Sequence, residues 1–278
     1  MTALIDHHIA FADVNGTRIH YEVAGQGHPL VLVHAGVADL TMWDAPFPIL
    51  AQHYRVIRYD HRGFGQTAMP PEPYSFVGDL YGLLQVLGVE RAYLAGVSIG
   101  GSTVLDFTLE HPEMVSALVL VAAGVSGTPP NPADEATFAP MEAAYEARDV
   151  DRVLALEDAM WLVGPGRGPE AVAPALHTHF ARMERANLEH EFSRAEGKQE
   201  RPAHPAYDRL GEVHVPTLVV VGDADVPDVV RSAQRLGAEI PGARLVVLPD
   251  TAHMVPMERP EEFTRLLLDF LAGVEPGQ

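Results

Sequence analysis

Short apolar runs alternate with amphipathic stretches along most of this 278-residue chain, and this alternation limits the fold more than any other feature. The runs, of four or five residues each, lie at residues 30–33, 55–59, 92–95, 118–122, 218–221 and 245–248. Such runs are typical of parallel strands that helices cover on both faces. Upstream, Asn15-Gly16 separates two segments of alternating polarity, which predicts a β-hairpin. We therefore predict an α/β fold with a mostly parallel, eight-stranded sheet and right-handed crossover connections.

Residues 126–215 interrupt this alternation after the sixth predicted strand. No strand-like run appears in them, and helical patterns lie near residues 138–147, 150–161 and 172–191. A segment of this length is more typical of a helical insertion than of a loop. We therefore predict a core domain formed by residues 1–125 and 216–278, and a helical cap (lid) formed by residues 126–215 over one end of the sheet.

The net charge of the chain indicates which classes of partner it can bind. It carries 38 acidic and 19 basic residues, a net charge of -19. A surface of this sign repels phosphate backbones and anionic lipids, so we expect no nucleic-acid partner and no membrane partner. The longest apolar stretch, residues 117–125, is far shorter than the ~20 residues of a membrane-spanning helix. The N-terminus has no basic region followed by an apolar one, so we expect a cytoplasmic protein.

The sequence contains no recognisable motif for binding a metal or a cofactor. Cysteine is absent, which excludes disulfides, thiolate metal sites and a cysteine nucleophile. His177 and His179 lie two positions apart in a predicted helix, where their side chains point in different directions. No glycine-rich loop follows a strand with the spacing of a phosphate-binding motif. We therefore expect no metal and no cofactor.

The sharpest chemical feature is the motif Gly96-Val-Ser98-Ile-Gly100, which follows a predicted strand and opens a predicted helix. A serine between a strand and a helix, with glycines two positions away on both sides, is typical of a nucleophile elbow. Such a turn strains the serine backbone, and the glycines leave room for the neighbouring strand and helix. The motif therefore predicts Ser98 as a catalytic nucleophile.

With this motif on a predicted parallel sheet, the chain resembles the α/β-hydrolase fold superfamily over residues 9–271. The resemblance implies a Ser-His-Asp triad in the chain order nucleophile, acid, base. The strand ending in Gly-x-x-Asp225 is similar to the acid site of the superfamily, which implies Asp225 as the catalytic acid. Asp223 is the less favoured alternative, since it could instead cap the following turn. His253 follows the last predicted strand, where the superfamily carries its catalytic histidine.

The same resemblance implies an oxyanion hole made by two backbone N–H groups. One belongs to Ile99, directly after the nucleophile, and the other to Gly36 in the loop after the third predicted strand. Alanine stands at position 35, where the superfamily usually has glycine, so Val37 is an alternative donor. We interpret His34, at the start of this loop, as a structural hydrogen-bonding residue.

Binding pockets for acyl groups are mostly apolar, and several apolar side chains lie in the predicted cap or beside the predicted catalytic loops. We expect the substrate pocket to be lined by Val37, Met141, Trp161 and Met254.

Together these residues predict a serine hydrolase that cleaves a carboxylic ester or a lactone through an acyl-enzyme. A small to medium, uncharged acyl group suits the predicted pocket, and an acyl-homoserine lactone fits as well as a linear ester. Carbon–carbon bond hydrolysis and cofactor-free perhydrolysis are alternatives on the same triad. A non-enzymatic ligand receptor of the same fold is the alternative from another class. We expect a small-molecule substrate as the partner, and the sequence predicts no oligomeric state.

Overall fold

A single sheet organises the protein. The computed structural model describes residues 7–193 and 197–274. Its strands are β1 (His7–Val14), β2 (Thr17–Ala24), β3 (Pro29–Val33), β4 (Arg55–Tyr59), β5 (Ala92–Val97), β6 (Val115–Val121), β7 (Thr217–Gly222) and β8 (Arg244–Leu248). They lie in the order β1-β2-β4-β3-β5-β6-β7-β8, with β2 antiparallel to β1 and β4 and all other pairs parallel. The predicted mostly parallel, eight-stranded sheet is confirmed.

Helices cover both faces of this sheet. The α-helices of the described residues are α1 (Phe47–Leu50), α2 (Phe76–Val86), α3 (Ile99–Glu110), α4 (Pro132–Glu146), α5 (Val150–Glu157), α6 (Pro174–Phe192), α7 (Pro227–Glu239), α8 (Val255–Glu258) and α9 (Pro260–Ala272). Val31 and Val33 of β3 pack in the core cluster that contains residues of α2, α3 and α7. Leu30 and Leu32 pack in the cluster that contains residues of α1 and α9. Because successive side chains of a strand point to opposite faces, β3 contributes to both cores.

The predicted hairpin and β6 show how local sequence sets strand ends. Asn15 and Gly16 have φ values of 45° and 79°, as a two-residue primed turn requires, and Val14 pairs with Thr17 across it. β6 begins at Val115, earlier than the apolar run predicts. The short helical turn Pro112–Met114 ends there and brings Val115 opposite Ala92 of β5.

Between β6 and β7 the described residues form α4, α5 and α6 and no strand of the sheet. The helix predicted over residues 150–161 is regular only to Glu157, and a π-helical turn, Asp158–Val163, follows it. Asn187 of α6 joins this region to the core domain. Its Oδ1 accepts a hydrogen bond from Gly65 N at 3.0 Å, and its Nδ2 donates to Ala38 O at 3.1 Å. The helical insertion after the sixth strand is as predicted, while the domain boundaries stay a prediction.

A buried ion pair fixes the loop that follows β4. Arg62 donates from Nε and Nη2 to the two carboxylate oxygens of Asp79 in α2, both at 2.8 Å. The exposed fractions of the two side chains are 1% and 2%. Arg62 Nη2 also donates to Asn15 O at 2.9 Å, so one guanidinium connects the hairpin, the loop and α2.

We expect Asp79→Ala to lower the free energy of unfolding by about 3–5 kcal/mol, because it leaves the Arg62 guanidinium buried without its counterion. Urea titration followed by circular dichroism measures this change. The matched control is Asp13→Ala, which removes the exposed partner of Arg18 at 3.8 Å and should cost less than about 1 kcal/mol. Equal losses in the two variants would contradict the structural role of the buried pair.

Candidate active site

Ser98 occupies a strained turn between β5 and α3. Its φ and ψ are 56° and -117°, a region that residues with a side chain rarely adopt. Its N–H donates to Val121 O at 2.9 Å, which ties the turn to β6. A Cβ at Gly96 would overlap the carbonyl of Gly100, and a Cβ at Gly100 would overlap the carbonyl of Val33. The glycines therefore permit the close approach that the strained turn requires, and Ser98 stays half-buried at the start of the helix.

Asp225 and His253 form a buried hydrogen-bonded pair on the loops after β7 and β8. His253 Nδ1 lies 2.8 Å from Asp225 Oδ2, and both side chains are almost fully buried. Asp225 Oδ1 accepts a hydrogen bond from Val226 N at 2.7 Å. A carboxylate that only accepts hydrogen bonds pairs with a ring that donates from Nδ1. The contact therefore fixes the ring with Nδ1 towards Asp225 and Nε2 on the opposite side.

Asp223 and Asp250, the other acids of these loops, have structural contacts. Asp223 Oδ1 accepts a hydrogen bond from Asp250 N at 2.7 Å and so joins the loop after β7 to the loop after β8. The Asp250 carboxylate lies 3.5 Å from Arg167 Nε and 3.7 Å from Arg259 Nη2. The acid beside His253 is thus Asp225.

The loops that carry these residues lie at one edge of the sheet. Ser98 follows β5, Asp225 follows β7 and His253 follows β8, and β5, β6, β7 and β8 are successive parallel neighbours. Reactive groups of open α/β sheets collect at the carboxyl ends of the strands. The topology thus brings the three loops to the same end of the sheet, although no hydrogen bond joins Ser98 Oγ to the His253 ring in the part of the chain that the structure describes.

Gly36 and Ile99 meet beside this edge. A Cβ built on Gly36 would lie 3.4 Å from Ile99 Cγ2, so the loop after β3 contacts the first residue of α3. The N–H groups in the first turn of a helix have no partner within the helix, which leaves the Ile99 N–H available. Both predicted oxyanion donors therefore lie at the junction of the same two elements.

His34 supports the loop that carries Gly36. Its Nδ1 donates to Ala35 O at 2.7 Å, and its Nε2 accepts from His61 N at 2.9 Å. Burial lowers the pKa of His34, although the nearby Asp60 opposes this shift, so the neutral ring that these bonds need is favoured. The contacts agree with a structural role for this histidine.

Trp161 lies against the candidate catalytic histidine. Its ring centroid is 4.6 Å from that of His253, and Phe138 of α4 stacks on it at 6.0 Å. Trp161 belongs to the π-helical turn Asp158–Val163, and π-helical turns are frequent at functional sites. The insertion between β6 and β7 thus places one aromatic ring, Trp161, against His253 and a second behind it.

A cavity of about 200 Å³ adjoins the candidate oxyanion site at Ile99. Its lining combines apolar side chains from the segment after β4 with polar side chains of α6. The lining residues are Gly63, Phe64, Met69, Tyr74, Phe76, Ile99, Glu184, Asn187, His190, Glu191, Gly197 and Gln199. None of the four predicted pocket residues lines it. Met141 and Met254 are buried in packing, Trp161 contacts His253, and Val37 packs against the core. The polar positions Glu184, Asn187 and Glu191 recur at helical spacing, a signal that sequence reasoning missed.

Two buried carboxyl groups lie in the insertion beside this cavity. Glu157 of α5 and Glu184 of α6 are each 2% exposed. Tyr145 donates from its hydroxyl to Glu157 Oε1 at 2.9 Å, and Asn187 Nδ2 donates to Glu184 Oε2 at 3.1 Å. Burial raises the pKa of Glu157 to about 7, against the opposing hydrogen bonds of Tyr145 and Glu184. Burial and then the charge of Glu157 raise the pKa of Glu184 well above its usual value.

Because these folded-state pKa values are raised, we expect the free energy of unfolding to fall as pH rises from about 5 to 8. Below the unfolded pKa of 4.5 both states are protonated, whereas near pH 7 the unfolded chain has released protons that the folded chain still binds. Glu157 contributes at most about 3 kcal/mol to this loss. Denaturant titrations at several pH values should show a weaker dependence in Glu157→Gln and an unchanged one in the exposed control Glu189→Gln. An equal dependence in Glu157→Gln and the wild type would contradict the assignment.

Residues 7–193 and 197–274 contain neither a metal-binding cluster nor a membrane-spanning helix. No cluster of three or more histidine and acidic side chains there could hold a metal ion. His177 Nδ1 lies 2.7 Å from Asp158 Oδ1, whereas His179 Nε2 lies 3.1 Å from Thr41 Oγ1, so the two histidines have separate partners. No helix in the same ranges combines the length and the hydropathy needed to cross a membrane.

The fold and the loops after β5, β7 and β8 agree with one family of proteins. Residues 30–266 match the profile of the Alpha/beta hydrolase family, and the chain belongs to that family.

Relatives of the chain have several hydrolytic activities. A 2-hydroxy-6-oxononadienedioate/2-hydroxy-6-oxononatrienedioate hydrolase of Comamonas testosteroni is 30% identical over 272 residues, 92% of each chain. The structure of an enol-lactonase from Burkholderia xenovorans is similar with a TM-score of 0.77 at 26% identity, covering 94% of this chain and 99% of that one. An N-acyl homoserine lactone degrading enzyme has a TM-score of 0.74 at 28% identity, with the same coverage.

Proposed function

We propose that this chain is a serine hydrolase that cleaves a carboxylic ester or a lactone of a small to medium, uncharged acyl group. Ser98 is the nucleophile, His253 the general base and acid, and Asp225 the residue that orients the imidazole. The observation that carries the proposal is the buried contact of 2.8 Å between His253 Nδ1 and Asp225 Oδ2, which leaves Nε2 free to accept a proton. The strained turn at Ser98 supports it, since this conformation presents a serine side chain at the start of a helix.

Each step of the proposed reaction moves one proton through His253. Ser98 Oγ attacks the carbonyl carbon while its proton passes to Nε2, and the N–H groups of Gly36 and Ile99 donate to the oxyanion. The carbon–oxygen bond then breaks, and the leaving alcohol takes the proton from Nε2. Water attacks the acyl-enzyme and gives a proton to Nε2, and Ser98 recovers it as the acid leaves. Asp225 stabilises the protonated ring in both halves of the cycle.

The charge of the cavity favours an uncharged substrate. Glu184 and Glu191 line it, and no lysine or arginine does so among the described residues. An anionic substrate would gain no counterion in this space, and an ionised carboxyl there would repel it. Two similar solved structures, those of an enol-lactonase and of an N-acyl homoserine lactone degrading enzyme, support the same substrate class.

Carbon–carbon bond hydrolysis is the second candidate, and the relative from Comamonas testosteroni at 30% identity favours it. A serine triad serves both reactions, so the triad geometry does not separate them. The dianionic substrate in that relative's name is poorly matched by the acidic cavity lining of this chain. We therefore rank ester and lactone cleavage first.

A substrate panel tests this ranking. The purified chain is assayed with short acyl esters, an acyl-homoserine lactone, an enol-lactone and a 2-hydroxy-6-oxo-dienoate. His214→Ala, which changes an exposed histidine before β7, is the control variant. We expect kcat/KM for an ester or a lactone to exceed that for the dienoate by at least about 100-fold, and the control to match the wild type. Preferred turnover of the dienoate would overturn the ranking. Labelling of Ser98 by a fluorophosphonate with no turnover of any substrate would favour a ligand receptor.

A further inference from the structure

A second cleft, larger and more polar than the cavity, opens beside Ile99. It measures about 680 Å³ and runs between α3, the segment that leaves β6 and the segment at residues 199–205. It shares Phe76, Ile99 and Gln199 with the smaller cavity. The proposed oxyanion donor Ile99 therefore borders both spaces, and a substrate carbonyl at this residue would extend one substituent into each.

Two polar side chains of α3 line this cleft, and each has an oxygen atom that makes no hydrogen bond within the described residues. Ser102 and Asp106 lie four and eight positions after Ser98, on one face of the helix and about 6 and 12 Å along its axis. Asp106 is 5% exposed, and its Oδ1 accepts a hydrogen bond from Ser126 Oγ at 2.6 Å. Among the described residues, neither Asp106 Oδ2 nor Ser102 Oγ has a hydrogen-bond partner.

The other hydroxyl groups of the cleft, on Ser75, Thr103, Ser126 and Thr128, already have hydrogen-bond partners. Ser75 Oγ accepts from Gly78 N at 3.2 Å, and Ser126 Oγ, which donates to Asp106, accepts from Ala206 N at 2.8 Å. Thr103 Oγ1 donates to Ile99 O at 2.8 Å, and Thr128 Oγ1 donates to Val125 O at 2.7 Å. The carboxyl of Asp106 and the half-buried hydroxyl of Ser102 thus each keep an oxygen that makes no hydrogen bond within the described residues. Both oxygens are accessible to solvent, so a ligand hydroxyl group would take the place of water there.

The charged side chains of the cleft differ in sign, and its buried charged group is a carboxyl that can accept hydrogen bonds from hydroxyl groups. Arg201 and Glu200, which are exposed, line the same space as Asp106, so cationic and anionic groups are mixed. Burial raises the pKa of Asp106 to about 6, while the hydrogen bond from Ser126 opposes the shift. The carboxyl is therefore largely ionised at pH 8, where it accepts hydrogen bonds from hydroxyl groups.

We propose that this cleft binds the alcohol portion of the substrate and that this portion is a neutral polyol, with Asp106 Oδ2 and Ser102 Oγ contacting its hydroxyl groups. The acyl portion then occupies the cavity lined by Phe64, Met69, Tyr74 and Phe76. This inference rests on the proposed function and narrows it to linear esters of hydroxylated alcohols.

The test compares two esters that share an acyl group, glyceryl monobutyrate and ethyl butyrate, at pH 8. We expect the wild type to favour the glyceryl ester in kcat/KM by about tenfold or more, because hydrogen bonds to a charged group discriminate at that level. Asp106→Asn should lower this ratio about tenfold, and Ser102→Ala about threefold. Glu113→Gln, an exposed change in the turn that follows α3, is the matched control and should leave the ratio as in the wild type.

The outcomes separate this inference from the proposed function. A ratio near one in the wild type, or an unchanged ratio in both Asp106→Asn and Ser102→Ala, would overturn the assignment of the cleft while ester turnover and Ser98 labelling persist. Preference for butyrylcholine over the glyceryl ester would overturn it in favour of a cation site. Loss of ester turnover and of fluorophosphonate labelling in the folded wild type would overturn the proposed function and this inference with it. Ser102→Ala removes only one half-buried hydroxyl, so it keeps the test valid if Asp106→Asn fails to fold.

Discussion

Replacement of Ser98 by alanine is expected to lower kcat for ester substrates by about 10⁶-fold, since the acyl-enzyme route is lost when the nucleophile is removed. Alanine keeps the Cβ that already fits the turn at φ 56°, so the fold should remain. Steady-state kinetics with a chromogenic short acyl ester measure the loss, and thermal unfolding checks the fold.

The matched control for this experiment is Ser232→Ala, a half-buried serine of α7 that lies away from the loops after β5, β7 and β8. It should keep kcat within about twofold of the wild type, as surface changes away from such sites usually have small effects. A folded Ser98→Ala variant that retains more than about 1% of the activity would contradict the role of Ser98 as nucleophile.

Asp225→Asn is expected to lower kcat by about 10⁴-fold with little change in stability. The amide has nearly the same shape, but its N–H₂ group can donate to His253 and favour the tautomer with the proton on Nε2. That tautomer cannot accept the serine proton, and the protonated ring also loses its counterion. Kinetics of the purified variant with the same chromogenic ester measure the effect.

Asp223→Asn is the control at the other end of the same loop. Its Oδ1 can still accept the hydrogen bond from Asp250 N, so we expect less than a tenfold change in kcat. Equal losses in Asp223→Asn and Asp225→Asn would indicate that the loop conformation, and not the carboxylate beside His253, controls activity. A larger loss in Asp223→Asn would reassign the catalytic acid.

The features that can be predicted from the sequence are those that depend on local patterns of residue type. The apolar runs predict the strands because a strand covered on both faces needs consecutive apolar residues. Ser98, Asp225 and His253 lie three, four and five positions after such runs, so their placement at one edge of the sheet follows from the parallel topology. The contact between Asp225 and His253, which excludes Asp223 from that position, depends on the loop geometry that the structure supplies.

The cavities depend on packing between distant segments, which local patterns do not encode. Phe64 and Glu184 line one space because α6 docks on the loops of the core domain through Asn187. Trp161 contacts His253 because the chain widens into a π-helical turn after Glu157, where helical periodicity alone predicts a continuous helix.

Covalent labelling of Ser98 by a fluorophosphonate, located by peptide mass spectrometry, tests the central claim most directly. We expect stoichiometric modification of Ser98 in the wild type and a rate at least about 100-fold lower in His253→Ala, because the imidazole must accept the serine proton. Modification of another residue, an unlabelled but folded wild type, or equal rates in the two proteins would contradict the account.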